Sequence, residues 1–190
     1  MLPEPRNPDA AAAARLARSV LARSGPSAPA LASVGLLDES LPDVVRVEVL
    51  RECGSGAGCA FGLSVADDDL GRAAVLCGAG EAAAVTGMAY ARERVVFGRP
   101  LATMAVQRYA FASVAGGLEA ALALVRRVAA SGAGGGSLDA AAVLPVALDA
   151  AWAAVEAALQ VHGGYGYTDE YPVSRMWREV AAARAALGGV

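Results

Sequence analysis

The residues with the clearest chemical potential form one run, Gln160-Val161-His162-Gly163-Gly164-Tyr165-Gly166-Tyr167-Thr168-Asp169-Glu170-Tyr171-Pro172. Three glycines within four positions break the long Ala-rich helical stretch that precedes them. Glycine reaches positive φ without a steric penalty and lets another group come close to the main chain. Pro172 sets φ for a following helix, where its missing N–H costs nothing at the first turn. The run therefore reads as helix, tight exposed turn, helix, with bare amides at the turn. Bare amides suit a phosphate or pyrophosphate. The alternative on these residues alone is a Gly-rich helix–helix connection that binds nothing.

This run resembles the flavin-pyrophosphate loop of the acyl-CoA dehydrogenase family, Gln-x-x-Gly-Gly-x-Gly-[Phe/Tyr]-x-x-Glu-[Tyr/Phe]-Pro. A second block, Ala89-Tyr90-Ala91-Arg92-Glu93-Arg94-Val95-Val96-Phe97-Gly98-Arg99-Pro100-Leu101, resembles another landmark of the same family. Together they lay the chain from about Arg72 to Arg178 on the family's C-terminal helical domain. The resemblance implies that Arg94 contacts a flavin pyrophosphate, its forked donors reaching a neighbouring subunit's cofactor. It implies that Phe97 packs against that cofactor, although a core Phe would look the same in sequence. It implies that Gln160, Gly163, Gly164 and Gly166 belong to the loop that meets FAD from the main chain. His162, the only histidine, is similar to a His that close relatives carry in this loop and reads as a packing residue, not a base.

The departures from the family pattern are informative. Val96 stands where the family commonly has Thr or Gln, and Met104 where a glutamine is expected, while Gln107 remains. The family's base is a carboxylate that takes the α-proton of an acyl thioester as hydride leaves the β-carbon for flavin. In one branch it falls beyond an Arg-Asp pair, here Arg178-Glu179, at a position held by Leu187. In the other it adjoins the Arg opening the first long helix, where Gly71 precedes Arg72. Neither residue accepts a proton. The middle β-domain that resemblance would place between the helical parts has only Phe61 to Leu70 in its stead, and the chain stops at Val190, before residues expected to close over the flavin.

The elements that must position these residues are helices. The length of 190 residues fits one stable core. Hydrophobic residues make up 56% and aromatics only 5%, which favours close-packed Ala, Val and Leu helices over a sandwich. Helices are expected at about Ala10–Arg23 after Asp9, Ala30–Val34, Asp43–Glu52, Leu70–Val95, Ala102–Ala130, from Ser137 onward with a kink at Pro145, and Val173–Leu187. The glycines from Gly54 to Gly58 either end the third helix or let helices pack tightly, and residues 131–136 form a flexible link. No alternating strand pattern occurs anywhere. The fold class is all-α: residues 1–69 a shortened N-terminal helical segment, 70–190 an antiparallel four-helix bundle.

Composition narrows the function. Net charge is −3 and the pI about 5.2, so nucleic acid is excluded as a partner. All 16 basic residues are Arg. Cys53, Cys59 and Cys77 show no metal-ligand spacing and read as reduced, partly buried thiols. No apolar run reaches transmembrane length without Gly, Arg or Glu interrupting it, and no signal peptide opens the chain, so a cytoplasmic location is expected. The resulting expectation is a degenerate subunit that self-associates or completes the FAD site of a fuller homologue acting on an acyl thioester. Two alternatives stand beside it. One is a flavin-free isomerase, cyclase or dehydratase using Glu81, Tyr109, Glu119, Asp149, Glu156 or His162; the other is a non-catalytic helical interaction protein.

Overall fold

The computed structural model describes residues 11–12, 15–16, 18–19, 42–56, 58–66, 68–132 and 138–187. The six described residues between 11 and 19 are helical, as expected; of the link expected at 131–136, Ser131 belongs to a helix and Gly132 follows it, while 133–136, the Ser137 cap and the helix expected at residues 30–34 lie outside the described residues. Six longer helices follow in order: α1 (Asp43–Gly56), α2 (Cys59–Val65), α3 (Asp69–Glu93), α4 (Ala105–Ser131), α5 (Leu138–His162) and α6 (Pro172–Leu187). Helices α3 to α6 make the four-helix bundle, and α1 lies against α3. Val47 and Leu50 of α1 share one hydrophobic cluster with Leu76, Leu122, Val125, Val155 and Val180 of the bundle. Pro145 sits inside α5, which continues through it.

Small residues set how close these helices come. α1 runs on through Gly54, where a Cβ would lie 2.0 Å from the carbonyl oxygen of Val75; at Gly78 it would lie 1.9 Å from that of Arg51. Backbone therefore packs on backbone where α1 crosses α3, which only glycine allows. Both roles open to the Gly54–Gly58 stretch are realised: α1 ends within it, at Gly56, and Gly54 lets the two helices pack tightly. The crossing also buries charge. Glu48 accepts from Arg51 Nε at 3.0 Å and Arg126 Nε at 2.6 Å, and Arg51 also bonds Glu52 and Glu81. Burial pushes the Glu52 carboxyl up, against the pull of Arg51 and Arg18.

Chain breaks follow local chemistry. Asp68 caps α3, accepting from the Gly71 amide at 2.7 Å, and it pairs with Arg46 at 2.6 Å. Partial burial works against ionisation of Asp68, yet these bonds hold its carboxyl below the ordinary value. α3 stops at Glu93, short of the expected Val95, because residues 95–100 form a two-stranded hairpin: Val95 pairs with Pro100 and Val96 with Arg99. The expectation of no strand is corrected here, at its smallest scale. The turn residues Phe97 and Gly98 have φ of 53° and 76°, as a two-residue turn of the I′ kind requires. A 3-10 turn, Leu101–Thr103, then delays α4 to Ala105. Three stretches, Asp69–Glu93, Ala105–Ser131 and Ala141–Tyr167, match membrane spans in length and mean hydropathy alone; 56%, 33% and 50% of their apolar windows are buried inside the protein.

Two outcomes follow. Gly78→Ala forces the helices apart and lowers stability to urea by about 1–3 kcal/mol, as overpacked cores do. Asp68→Ala costs about 1 kcal/mol, as cap losses do. Because the folded carboxyl titrates below its unfolded value of about 3.9, its contribution is present above that pH and is lost as pH falls through the folded value. Urea melts between pH 5 and pH 3 check this: the difference between wild type and Asp68→Asn should shrink toward the acid end.

Candidate functional site

Two segments distant in sequence meet at the end of α3. Arg94 follows that helix directly; its amide donates to Tyr90 O at 2.9 Å and its carbonyl accepts from Leu101 N at 2.8 Å. Its backbone is thus held from the helix and from beyond the hairpin, while its side chain is exposed. The 3-10 turn Gly163–Tyr167 closes α5 beside it. Between them runs an open crevice of about 280 Å³, lined by Tyr90, Arg94, Gln107, Gln160, His162, Gly163, Gly164 and Tyr165 among others.

His162 joins the two walls. It is buried, and its ring stacks on Tyr90 with centroids 4.1 Å apart, while Tyr171 meets it edge-on at 5.2 Å. Its Nδ1 lies 2.7 Å from Ala158 O; a carbonyl only accepts, so Nδ1 carries the proton and Nε2 is bare in the neutral ring. The ring fixes the loop against α3 in the packing role read from the sequence. Sequence reading missed Tyr90 as the other half of this stack. Its position one helical turn before Arg94 was the available signal.

The glycines divide into two kinds. Gly163 has φ of 59°, and nothing lies within 4 Å of where its Cβ or that of Gly164 would be. Their backbone is open to a ligand. Gly166 is buried, and a Cβ there would meet Leu159 O at 2.9 Å, so its smallness serves the turn's own packing. Arg92, Arg94, Arg99 and Arg108 are exposed and pair with no carboxylate among the described residues. An anion in the crevice would find open amides and an uncommitted guanidinium. Phe97 is 94% exposed at the hairpin tip, which excludes the core-Phe alternative, and it does not line the crevice.

The two positions at which the family resemblance places a base hold no proton acceptor. Leu187 packs against the main core at the end of α6. At Gly71 a Cβ would meet Leu50 Cδ1 at 2.9 Å and Asp68 Oδ1 at 3.0 Å, so a side chain there would have to displace the ends of those two. The other acid–base candidates do not converge. Glu81 bonds Arg51, Asp149 lies 3.7 Å from Arg184, and Glu156 accepts from Trp177 Nε1 at 2.7 Å. Tyr109 is 79% exposed on α4, and Glu119 lies on the same helix. The three thiols are buried, each pushed up to about 12 chiefly by that burial, which leaves them inert.

Known proteins resemble this chain in sequence and in fold. Residues 62–189 match the model of the acyl-CoA dehydrogenase C-terminal domain. The chain is 38% identical over 112 residues to a short-chain-specific acyl-CoA dehydrogenase of Megasphaera elsdenii, covering 58% of this chain and 29% of that protein. It is 38% identical over 143 residues to an acyl-CoA dehydrogenase of Bacillus subtilis, covering 72% of this chain and 36% of the other. Among solved structures, butyryl-CoA dehydrogenase from Megasphaera elsdenii superposes with a TM-score of 0.57 at 31% identity, over 72% of this chain and 33% of that one. The chain thus spans about a third of the length of the relatives it matches. The match takes in both walls of the crevice and all four bundle helices, and on it the chain belongs to the acyl-CoA dehydrogenase family through that family's C-terminal helical domain.

Proposed function

We propose that this chain is a partner subunit, lending half of a flavin site to a fuller acyl-CoA dehydrogenase homologue that oxidises an acyl thioester. The observation that carries the reading is Phe97. A bulky residue at φ of 53°, 94% exposed, combines backbone strain of about 1–3 kcal/mol with an apolar ring in water. Nothing within the described chain recovers that cost, so its return comes from contact with another molecule. The nearby crevice supports the same direction.

The residues fit the pyrophosphate side of FAD. Arg94 would supply its forked charge, the open Gly163 and Gly164 backbone would approach phosphate oxygens, and Gln160 would bond alongside. When bound, FAD supplies the acceptor for hydride from the β-carbon. The His162–Tyr90 stack keeps both walls in register whether or not a ligand is present. No described residue surrounds the crevice far enough to enclose a redox ring, and no carboxylate occupies a base position. Those parts belong, in this reading, to the homologue.

The lone chain with added FAD should not oxidise a panel of acyl-CoAs in a dye-linked assay. A missing base alone removes roughly 10²–10⁴-fold, and Leu187→Glu should not restore turnover. Mixed with the right homologue, the chain should raise dehydrogenation, and Arg94→Ala should then lower flavin retention, read as flavin absorbance remaining after gel filtration. Clear turnover by the isolated wild-type chain overturns the proposal. Phe97→Gly separates strain from contact: it should stabilise the isolated chain by about 1 kcal/mol while weakening capture of the homologue.

A further inference from the structure

Three contacts fix the His162 ring, and none of them uses Nε2. The ring stacks on Tyr90 with centroids 4.1 Å apart and planes 22° apart, Tyr171 meets it edge-on, and Nδ1 lies 2.7 Å from Ala158 O. Turning the ring over would set a C–H against that carbonyl, so the direction of Nε2 is fixed as well. A buried polar atom normally finds a partner, and His162 is only 3% exposed. Nε2 has no partner among the described residues, yet it is not sealed: the sealed, unpartnered side-chain atom there is Arg126 Nη2. The ring is a wall of the crevice, and Nε2 is the atom it has left to offer a ligand.

The charges around that ring are one-sided. From α3 come Tyr90 and, just past its end, Arg94; the 3-10 turn adds Tyr165, and the approach to α6 adds Tyr171. α4 and α5 contribute the neutral Gln107 and Gln160. No carboxylate lines the crevice among the described residues. The acids on the flanking segments, Glu93, Glu156, Asp169 and Glu170, are exposed; Glu156 is bonded by Trp177 and Asp169 by Arg178. A proton on Nε2 of the empty crevice therefore adds a second cation to the wall that holds Arg94, with no anion to answer it.

This arrangement couples a ligand to a proton. In the neutral ring Nε2 presents a lone pair, which opposes a phosphate oxygen. The protonated ring donates at the same place and makes a charge-assisted hydrogen bond. A bound anion brings the negative charge that the wall lacks, so it favours the protonated ring, and the stacked face of Tyr90 accepts the cation without moving. The effect is reciprocal: the factor by which the anion raises proton affinity is the factor by which the proton raises anion affinity.

We propose that the crevice takes up a proton from solvent on His162 Nε2 when it binds a pyrophosphate, so that flavin capture tightens in acid. The inference rests on the half-site reading given above. Binding is tightest below the titration midpoint of the free ring, weakens as pH rises from that midpoint to the liganded one, and is level beyond it. FAD is the probe, because its pyrophosphate is esterified at both ends and keeps its charge between about pH 5.5 and 8, within the span where imidazoles ordinarily titrate. A change in affinity over that range therefore belongs to the protein.

His162 is the only histidine in the chain, so its imidazole gives a single set of ring resonances. NMR titration of the full chain, with and without millimolar FAD, follows the ring while the Gly163 and Gly164 amides report occupancy. The ring's proton affinity should rise about tenfold on adding FAD, and FAD should bind about tenfold more tightly at pH 5.5 than at pH 8. His162→Phe keeps a ring on Tyr90 and takes no proton. Its FAD affinity should be flat across the range, at the wild-type pH 8 level, with circular dichroism unchanged. Arg94→Ala should weaken binding at every pH and keep the acid preference. The wild-type titration decides the matter even where a variant does not fold. FAD that shifts the glycine amides without moving the midpoint of the ring overturns this inference and leaves the half-site reading standing. Amides that ignore FAD at both pH values overturn the two together.

Discussion

The contact on which the rest of the molecule depends is the crossing of α1 and α3, where Gly54 and Gly78 bring one backbone against the other. Because no side chain intervenes, Val47 and Leu50 sink into the bundle's core and are almost fully buried there. α2 then leads to α3 with only Ala66 to Asp68 between them, and Asp68 starts the new helix at once by capping it. In the family resemblance a whole β-domain stands at that junction. Here the junction is closed by helix packing, and Gly71 is tied to the closure through Leu50 and Asp68.

The same crossing holds an unusual load of buried charge. Glu48 is 1% exposed and receives two guanidinium groups, while Arg51 is shared among Glu48, Glu52 and Glu81. Such groups gain little net stability over apolar packing, since desolvation offsets much of the Coulomb attraction. Their effect is directional. A guanidinium serving three carboxylates on two helices tolerates few rotations of α1 on α3, which glycine contacts alone would leave loosely specified. Arg126 Nη2 is left buried without a partner, the one polar side-chain atom so placed among the described residues.

Much of the bundle was legible because α3 to α6 are long and carry apolar residues at helical spacing, and because Gly and Pro mark their ends. The hairpin was not legible. Two residues per strand make no alternating pattern, and Phe97 at positive φ runs against the Asn-Gly preference of such turns. Of the site, Arg94, Gln160, Gly163 and Gly164 were named from motif alone, and the structure gathers them around one crevice. Gly166 was named with them but turns inward, a distinction that needs the neighbour Leu159 in space. The buried charges of α1 were invisible for another reason. Glu48, Arg51 and Glu52 of α1, and their partner Glu81 of α3, look like ordinary solvated helix residues until the glycines bring the helices together.

The three cysteines give that joint a consequence of their own. Cys53 lies next to the end of the buried run of α1, Cys59 opens α2, and Cys77 sits on α3 beside Gly78. All three thiols are sealed in the native protein, and none lies in the far half of the bundle. A disulfide reagent added to the folded chain can therefore react only as fast as this joint opens. The molecule carries its own clock for that motion, one that reports separation of α1 and α2 from α3, and at Cys59 also from α6, whose Glu179 lies beside it, while it stays silent to movements of the hairpin.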